Sequence, residues 1–317
     1  MSFKNKRSYI FKPSSLRPQK CKRMRRMWIL YLFLLIPVIH TFIFSYIPLY
    51  GIQIAFKDFN ASKGIWGSAW NNFNHFRNLF AGASFPKVFW NTLYISFLRI
   101  LVGFPAPIIF AILLNEIHSS KFKKVVQTVS YLPHFMSWVV LGGIIKELLN
   151  PQRGLINAVI QLFGGEPVYF ITEPSMFRPI VIITGVWASV GWGAIIYLAS
   201  MSSIDPQLYE AAEMDGANRF HKAIYVTIPS LMPIIVIQFI LGLGGVLNGG
   251  FDQIFNLYND KVMGVADIID TYVYRMGLEE LKYDFSTAVG LFKNVIGVIL
   301  IVSVNIATSK ISDYGIW

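Results

Sequence analysis

Charged side chains are scarce in this sequence of 317 residues, of which 14% are charged and 54% are hydrophobic. Soluble proteins carry about 25% charged residues, so this composition argues against a soluble globular protein. Apolar runs of about 20 residues recur along the chain, which is the length that crosses a bilayer as a helix. The composition therefore predicts an all-α polytopic membrane protein.

Several kinds of chemistry are also missing. The lone cysteine, Cys21, allows neither an intrachain disulfide nor a cysteine-based metal site. The chain has no P-loop, so we expect no ATP binding by that route and no cofactor in this chain. We find no zinc-protease motif, no nucleophile elbow and no pair of carboxylates at catalytic spacing, which weighs against a membrane enzyme. The five histidines are scattered, and single histidines of this kind are usually structural.

Six apolar runs predict six membrane helices. They lie at about 28–50, 89–115, 126–149, 176–200, 230–250 and 285–308. Six helices rarely enclose a wide path for a solute, so we also expect a second, similar subunit. The glycine-rich run 242–250 follows no strand. It therefore indicates close helix packing or an unwound segment that lines a cavity.

The distribution of charge predicts the orientation. Ten of the 28 Lys and Arg residues precede position 27, and loop 116–125 adds three lysines, whereas loop 250–284 is acidic. Cytoplasmic flanks collect Lys and Arg, so we place both termini in the cytoplasm of a bacterium and the chain in its plasma (inner) membrane. The basic segment 1–27 is then an orienting tail, without nucleic-acid binding, and 28–317 is the membrane domain. The first apolar run is too long for a signal peptide.

A polar insert, 201–229, separates the fourth and fifth apolar runs, and charge places it in the cytoplasm. Asp205 is a good N-cap and Pro206 suits the first helical position. Residues 207–214 favour a helix, and Gly216 can supply the left-handed residue that ends it. The sequence therefore predicts a short helix over 206–214.

Two cations, Arg99 and Lys293, lie deep in apolar runs, where a charge costs several kcal/mol. Each either pairs with an acid such as Asp252 or faces a watery cavity. A cavity with spare positive charge favours an anionic solute. A structural ion pair is an equally good interpretation of both residues.

Polar and aromatic residues on the fourth and fifth helices are candidates for a sugar path. Helical spacing places 185, 189 and 192 on one face, and sugars stack on aromatic rings. The alternative is that both tryptophans face lipid or a neighbouring helix. The candidates on the fourth helix are Gly185, Trp187, Ser189 and Trp192, and those from the fifth helix and its end are Asn248, Asp252 and Gln253.

The insert resembles the EAA loop of permeases from type I ABC importers. It reads Glu210-Ala211-Ala212, three residues, Gly216, and then Ile228-Pro229. Segments over most of the remaining chain resemble the Lpl-type polysaccharide permeases of the carbohydrate branch. These segments are 47–59, 91–93, 104–107, 127–138 and 267–291.

The resemblance implies a type I ABC importer permease fold and a division of labour among partners. A second homologous permease would complete the path. Two ATPase subunits, which carry ATP and Mg²⁺, would grip the EAA loops through Glu210, Ala211, Ala212, Asp215, Gly216 and Pro229. An extracellular or periplasmic binding protein would deliver an oligosaccharide, acidic if the two cations face it. Pro229 would begin the fifth helix, which the loop pushes.

The resemblance also carries over a sugar site. In the maltose branch the corresponding positions are 185, 189 and 192, and then 243, 246, 247 and 250. Several of these residues are small or apolar here, which favours a wider cavity than the maltose type has. The alternatives are an ABC permease for peptides or a stand-alone secondary transporter. The latter is disfavoured because the apolar runs hold few acids and no repeat is visible.

Overall fold

A computed structural model describes residues 27–311, apart from the side chains of residue 246 and of residues 307–311. Nearly all of the predicted tail 1–27 lies outside the described residues. The chain divides into two units between Gln53 and Ile54. The buried clusters, the polar network and the cavities described here belong to the second unit.

Within residues 27–311, five helical segments are long and apolar enough to cross a membrane. Numbered to match the six predicted helices, they are the first span Trp28–Phe56, the second Ser84–Asn115, the fourth Pro174–Met201, the fifth Arg219–Leu243 and the sixth Tyr283–Ile306. The sixth helix continues to Ile311. These segments confirm five of the predicted helices, with shifted ends.

The third predicted helix, 126–149, is wrong as a single straight helix. A bent pair, Ser120–Phe135 and Trp138–Leu148, turns through 110° at this point. Pro133 lies in a 3₁₀ turn, Leu132–Phe135, and the Ser137 hydroxyl accepts from the backbone N–H of Val140 at 3.4 Å. A proline followed by a serine N-cap ends one helix and starts another. The described residues therefore hold five membrane spans, or six if the pair counts as one.

Three of the spans contain π-helical turns. In the first span, α-helix Trp28–Thr41 continues through Phe42–Tyr46 into a 3₁₀ helix, Ile47–Phe56. In the second, Arg99–Gly103 separates Ser84–Leu98 from Pro105–Asn115. The fifth joins its short α-helix and π turn, Arg219–Lys222 and Ala223–Thr227, to Ile228–Leu243.

The π turn in the fifth span corrects the prediction that Pro229 begins that helix. The helical path already starts at Arg219 and runs through Pro229. Proline lacks a backbone N–H and clashes with the preceding turn, and a wider π turn just before it loosens that turn. The fifth span therefore extends directly from the polar insert.

Shorter elements fill the connections. Strands Lys57–Asp58 and Ala69–Trp70 pair antiparallel around the helix Gly64–Gly67, and helix Asn74–Ala81 follows them. Helix Leu155–Leu162 precedes the fourth span. Between the fifth and sixth spans lie Val246–Asn248 (3₁₀), Phe251–Leu257, Met263–Ala266, Ile269–Tyr274 and Arg275–Glu279 (π).

Buried apolar side chains form three clusters along the second unit. The largest joins the second span, the bent pair, the fourth span and helix Phe251–Leu257. The second joins the second and sixth spans to helix Asn74–Ala81, and the third joins the second, fourth and fifth spans beside the polar insert. Representative members are Ile95, Leu141, Phe177 and Ile254; Leu79, Phe85 and Val289; and Ala111, Tyr197 and Leu231.

A polar network anchors the segment 251–279 to the spans. Asn91, which is 3% exposed, donates to the carbonyls of Gly264 and Asp267 at 3.1 and 3.2 Å. The Arg178 guanidinium donates to Asn91 Oδ1 at 2.8 Å. Asp267 also pairs with Arg275 at 2.6 Å. Because each partner lies on a different element, the network fixes the segment over the second and fourth spans.

Candidate functional site: a polar cavity and an exposed short helix

The polar insert contains the predicted short helix, Pro206–Met214. The Asp205 carboxylate accepts from the backbone N–H of Gln207 at 3.0 Å, and Pro206 holds the first position. Gly216 has a φ of +79°. The N–H groups of Gly216 and Ala217 donate to the carbonyls of Glu213 and Ala212 at 3.0 and 2.9 Å, which is a Schellman end. Both predicted ends of the helix are confirmed.

Two side-chain contacts tie this helix to the start of the fifth span. The Tyr209 hydroxyl lies 3.0 Å from Thr227 Oγ1. Lys222 forms an ion pair with Glu213, and its hydrogen bond holds the pKa of the Glu213 carboxyl below the ordinary value. Arg219, at the start of the span, pairs with Glu116 at 3.7 Å. The helix is thus attached to the spans at its Tyr209 and Glu213 side.

The rest of the short helix is open. Glu210, Ala211, Asp215 and Gly216 are exposed and Ala212 is half-buried, whereas Pro229 is exposed on the span that follows. Large apolar side chains border them: Met214 is 88% exposed and Phe220 is 69% exposed. Exposed apolar patches with a polar rim are typical of protein interfaces.

A cavity of about 560 Å³ lies between the second span, the bent pair, the fourth span and helix Phe251–Leu257. Four predicted path residues line it together: Arg99, Gly185, Ser189 and Asp252. The structure therefore gathers one cation, one acid and two small residues from three separate segments around one space.

Arg99 is held in this cavity by Gln253. Its Nη2 donates to Gln253 Oε1, and Gln253 Nε2 donates to the Val181 carbonyl and to Thr184 Oγ1, both at 2.8 Å. Gln253 is 1% exposed. Within residues 27–311, the buried Nε of Arg99 has no hydrogen-bond partner. The cation is positioned but retains a free N–H donor, and a buried donor of this kind favours an acceptor from a ligand.

Glycines allow this arrangement. A Cβ on Gly185 would lie 3.4 Å from Gln253 Oε1, and a Cβ on Gly250 would collide with the Arg99 guanidinium. Gly250 also has a φ of +79°. The fifth helix ends at Leu243, and the run 242–250 turns beside a second cavity of about 220 Å³ that Arg99 also lines. Of the two interpretations of this run, the structure supports an unwound segment that lines a cavity.

The other predicted path residues lie elsewhere. Trp192 stacks on His134 with ring centroids 4.5 Å apart and lines a separate cavity of about 540 Å³. Trp187 is 43% exposed and Asn248 is exposed between Gly245 and Gly249, and neither lines the cavity around Arg99. The positions carried over from the maltose branch divide likewise: Leu243 and Gly250 line the 220 Å³ cavity, and Leu247 is buried.

Lys293 lies apart from the cavity around Arg99. Its ammonium is 2.5 Å from Asp270 Oδ1, on helix Ile269–Tyr274, and it pairs with that carboxylate rather than with Asp252. Of the two interpretations of this cation, the structure supports a structural ion pair.

Sequence reasoning missed three polar residues of the Arg99 cavity: His134, Ser137 and Asn256. His134 and Ser137 lie at the bend of the third segment. In the sequence, Pro133 followed by the capping residue Ser137 is the signal for that bend. This signal could have identified His134 and Ser137 as residues of the cavity. Asn256 is one helical turn after Asp252, and its Nδ2 donates to the Asp252 carbonyl at 2.7 Å.

Solved structures of known proteins share the architecture of this chain. The chain is 38% identical to the permease chain of a bacterial ABC transporter involved in the import of the acidic polysaccharide alginate, with a TM-score of 0.85, covering 93% of this chain and 99% of that one. The same match extends to that transporter in complex with an alginate pentasaccharide-bound periplasmic protein.

Curated relatives agree with this match. The chain is 43% identical to the polygalacturonan/rhamnogalacturonan transport system permease protein YteP of Bacillus subtilis, covering 91% of this chain and 90% of YteP. It is 40% identical to protein LplB of the same organism, covering 91% of each.

The family model of binding-protein-dependent transport system inner membrane components matches residues 79–313. The matched region contains the cavity, the polar insert and the spans on both sides of it. The chain therefore belongs to the family of inner-membrane components of binding-protein-dependent transport systems.

Proposed function

We propose that this chain is the permease subunit of an ATP-driven importer of acidic oligosaccharides. The observation that carries the proposal is Arg99, a half-buried cation that lines a cavity of about 560 Å³ and whose buried Nε has no hydrogen-bond partner within residues 27–311. The similarity to an alginate importer and to a polygalacturonan/rhamnogalacturonan permease supports the same solute class, since both of those names specify acidic polysaccharides or their derivatives.

The chemistry of the cavity fits a sugar acid. A guanidinium offers planar donors that match a carboxylate. Hydroxyl groups of the sugar would find Ser137, Ser189 and Asn256 on the walls. The nearby pair of His134 and Trp192 offers flat rings for stacking. Asp252 also lines the cavity, and its negative charge repels a sugar carboxylate, so the carboxylate of the solute would lie nearer to Arg99 than to Asp252.

The exposed face of the short helix is the proposed contact for the ATPase subunits. Glu210 and Ala211 are exposed beside Met214, and Tyr209 and Glu213 attach the helix to the fifth span. ATP and Mg²⁺ would be bound by those subunits. A second, homologous permease would complete the path as a heterodimer, and an external binding protein would load it.

Uptake measurements test the solute class. We expect Arg99→Gln to reduce uptake of a uronic-acid oligosaccharide by about 10- to 100-fold, since a hydrogen bond to a charged group contributes about 1.5–3 kcal/mol. Arg99→Lys should retain part of the uptake. Lys146→Gln is the matched control because it removes a cation that does not line the cavity. Equal uptake of the acid by wild type and Arg99→Gln would refute the proposed solute.

Cross-linking tests the contact with the ATPase. In a Cys21→Ser background, a photo-reactive maleimide on Ala211→Cys should cross-link to the ATPase subunit of the assembled complex. The same probe on Leu162→Cys, which replaces an 83% exposed side chain far along the chain, should not. Cross-linking from position 162 but not from position 211 would refute the proposed contact between the short helix and the ATPase subunits.

A further inference from the structure

A cluster of metal-ligand side chains lies outside the transport site, at the base of the small hairpin. Asp58 ends the first strand, His75 is the second residue of helix Asn74–Ala81, and Asp284 is near the start of the sixth span. One ligand atom from each lies within 4.8 Å of the other two. His75 Nε2 is 3.5 Å from Asp284 Oδ2 and 4.0 Å from Asp58 Oδ1.

Two further oxygen-bearing groups point at the same place. The Lys57 carbonyl is 2.9 Å from His75 Nε2. The Asn71 amide lies 2.5 Å from His75 Nε2 and 2.8 Å from Asp58 Oδ1 through its Nδ2. Asn71 is 4% exposed, and in the described part of the chain its buried Oδ1 has no hydrogen-bond partner.

Hydrogen bonds satisfy only part of this cluster, in which the Phe59 N–H donates to Asp284 Oδ2 at 3.1 Å. His75 Nε2 is within bonding distance of an amide donor and of a carbonyl acceptor, and one ring nitrogen serves only one of them. Rotating the Asn71 amide by half a turn brings its unpartnered Oδ1 to the position of Nδ2, beside His75 and Asp58. The Asn71 oxygen then joins the ligand atoms of Asp58, His75 and Asp284, and a cation among these four atoms would accept a lone pair from each.

Charge favours the same conclusion. Two carboxylates approach each other within 4.8 Å, and like charges at that distance repel unless a cation lies between them. The neighbouring ammonium groups have other partners: Lys57 Nζ donates to the Ile65 carbonyl at 2.6 Å, and Lys282 pairs with Glu280 at 2.7 Å. A dication neutralises both carboxylates.

We propose that Asp58, His75, Asp284 and the Asn71 amide bind one Zn²⁺ ion that ties the hairpin to the sixth span. Zinc accepts imidazole nitrogen and carboxylate oxygen at about 2.0–2.2 Å, so that tetrahedral ligand atoms lie about 3.4 Å apart. The separation of 3.5 Å from His75 to Asp284 already fits. Calcium is disfavoured because it takes oxygen ligands, whereas one ligand atom here is the imidazole nitrogen of His75.

Two adjustments remain. Asp58, whose side chain is 69% exposed, has to approach His75, and the Asn71 amide has to move from 2.5 Å to about 3.4 Å from His75 Nε2. His75 and Asp284 also line a cavity of about 410 Å³, which gives the ion a path to the site. The site lies on segments that the transport proposal does not use, so the two proposals succeed or fail separately.

Metal binding to the full chain, purified without a histidine tag in whatever complex it forms, tests the proposal. After treatment with a chelator and buffer exchange, calorimetric titration with ZnCl₂ should show one ion per chain, and Zn²⁺ should raise the unfolding temperature. His75→Ala and Asp284→Asn should each weaken Zn²⁺ binding by at least about 100-fold, since even outer-shell changes cost 10- to 100-fold.

Matched controls remove the same side-chain types elsewhere. His118→Ala and Asp260→Asn, both at exposed positions, should leave the stoichiometry and affinity unchanged. Zn²⁺ should also slow tryptic cleavage after Lys63, an exposed residue in the hairpin, for wild type but not for His75→Ala. This second readout needs only the wild-type chain if a variant fails to fold.

Three results would overturn the assignment. They are no Zn²⁺ bound to the wild-type chain, equal loss of binding in His118→Ala and His75→Ala, or preference for Ca²⁺ over Zn²⁺ in parallel titrations. Binding of Zn²⁺ with unchanged cleavage after Lys63 would overturn the proposed role in holding the hairpin.

Discussion

Replacement of Gly250 by alanine tests how the cation Arg99 is held. Gly250 has a φ of +79°, a conformation that costs an L-residue about 1–2 kcal/mol. The added Cβ would also collide with the guanidinium, so Arg99 would have to leave Gln253. Loss of a hydrogen bond to a charged group costs about 1.5–3 kcal/mol. We therefore expect a total loss of about 2.5–5 kcal/mol of unfolding free energy.

A double-mutant cycle separates the two contributions. Arg99→Ala removes the group with which the new Cβ collides, so in that background Gly250→Ala should cost only the conformational part, about 1–2 kcal/mol. Equilibrium unfolding of the intact complex in mixed detergent micelles measures each variant. Gly290→Ala is the control, because its Cβ would meet nothing within 4 Å inside a helix and should gain about 1 kcal/mol. Additive losses for Gly250→Ala and Arg99→Ala would refute the contact.

Three further changes test the insert and the polar network. Gly216→Ala should cost about 1–2 kcal/mol because of its left-handed conformation, seen as faster hydrogen exchange over 206–217 with the other helices unaffected. Lys222 lowers the pKa of the Glu213 carboxyl, so their contact stabilises the folded protein above the ordinary carboxyl pKa, and this stability is lost as the pH falls through the lowered pKa. Glu213→Gln should abolish this pH dependence of hydrogen exchange in the insert. The hydrogen bond from Arg275 to Asp267 raises the pKa of Arg275. Asp267→Asn should therefore lower the free energy of unfolding by about 1–3 kcal/mol. The control Glu280→Gln, which breaks the more exposed pair with Lys282, should lower it by less than about 1 kcal/mol.

The parts of the fold that sequence reasoning predicted depend on local signals. The helix Pro206–Met214 has its N-cap, its first-position proline and its terminal glycine within twelve consecutive positions, 205–216. Each of these residues acts through neighbours in the chain, so the pattern alone defines the element. The glycine-rich run 242–250 was predictable for the same reason.

Contacts between distant residues were not predictable in this way. Lys293 pairs with Asp270 and Arg99 with Gln253, and nothing in either apolar run specifies the partner. The bend at Pro133 was visible in the residues, yet apolar length suggested one straight helix. The stacking of His134 on Trp192 depends on that bend, so it was missed with it.

These contacts also connect the polar insert to the cavity. Tyr209 and Glu213 fix the short helix to the first turns of the fifth span, which continues as one helical path to Leu243. The glycine run then leads to Gly250, against Arg99. If the ATPase subunits move the short helix as proposed, the movement passes along the fifth span and the glycine run to Gly250, beside the guanidinium of Arg99. Gln253 holds the same cation to the fourth span through the Val181 carbonyl, so relative movement of the fourth and fifth spans changes the contacts of Arg99 directly.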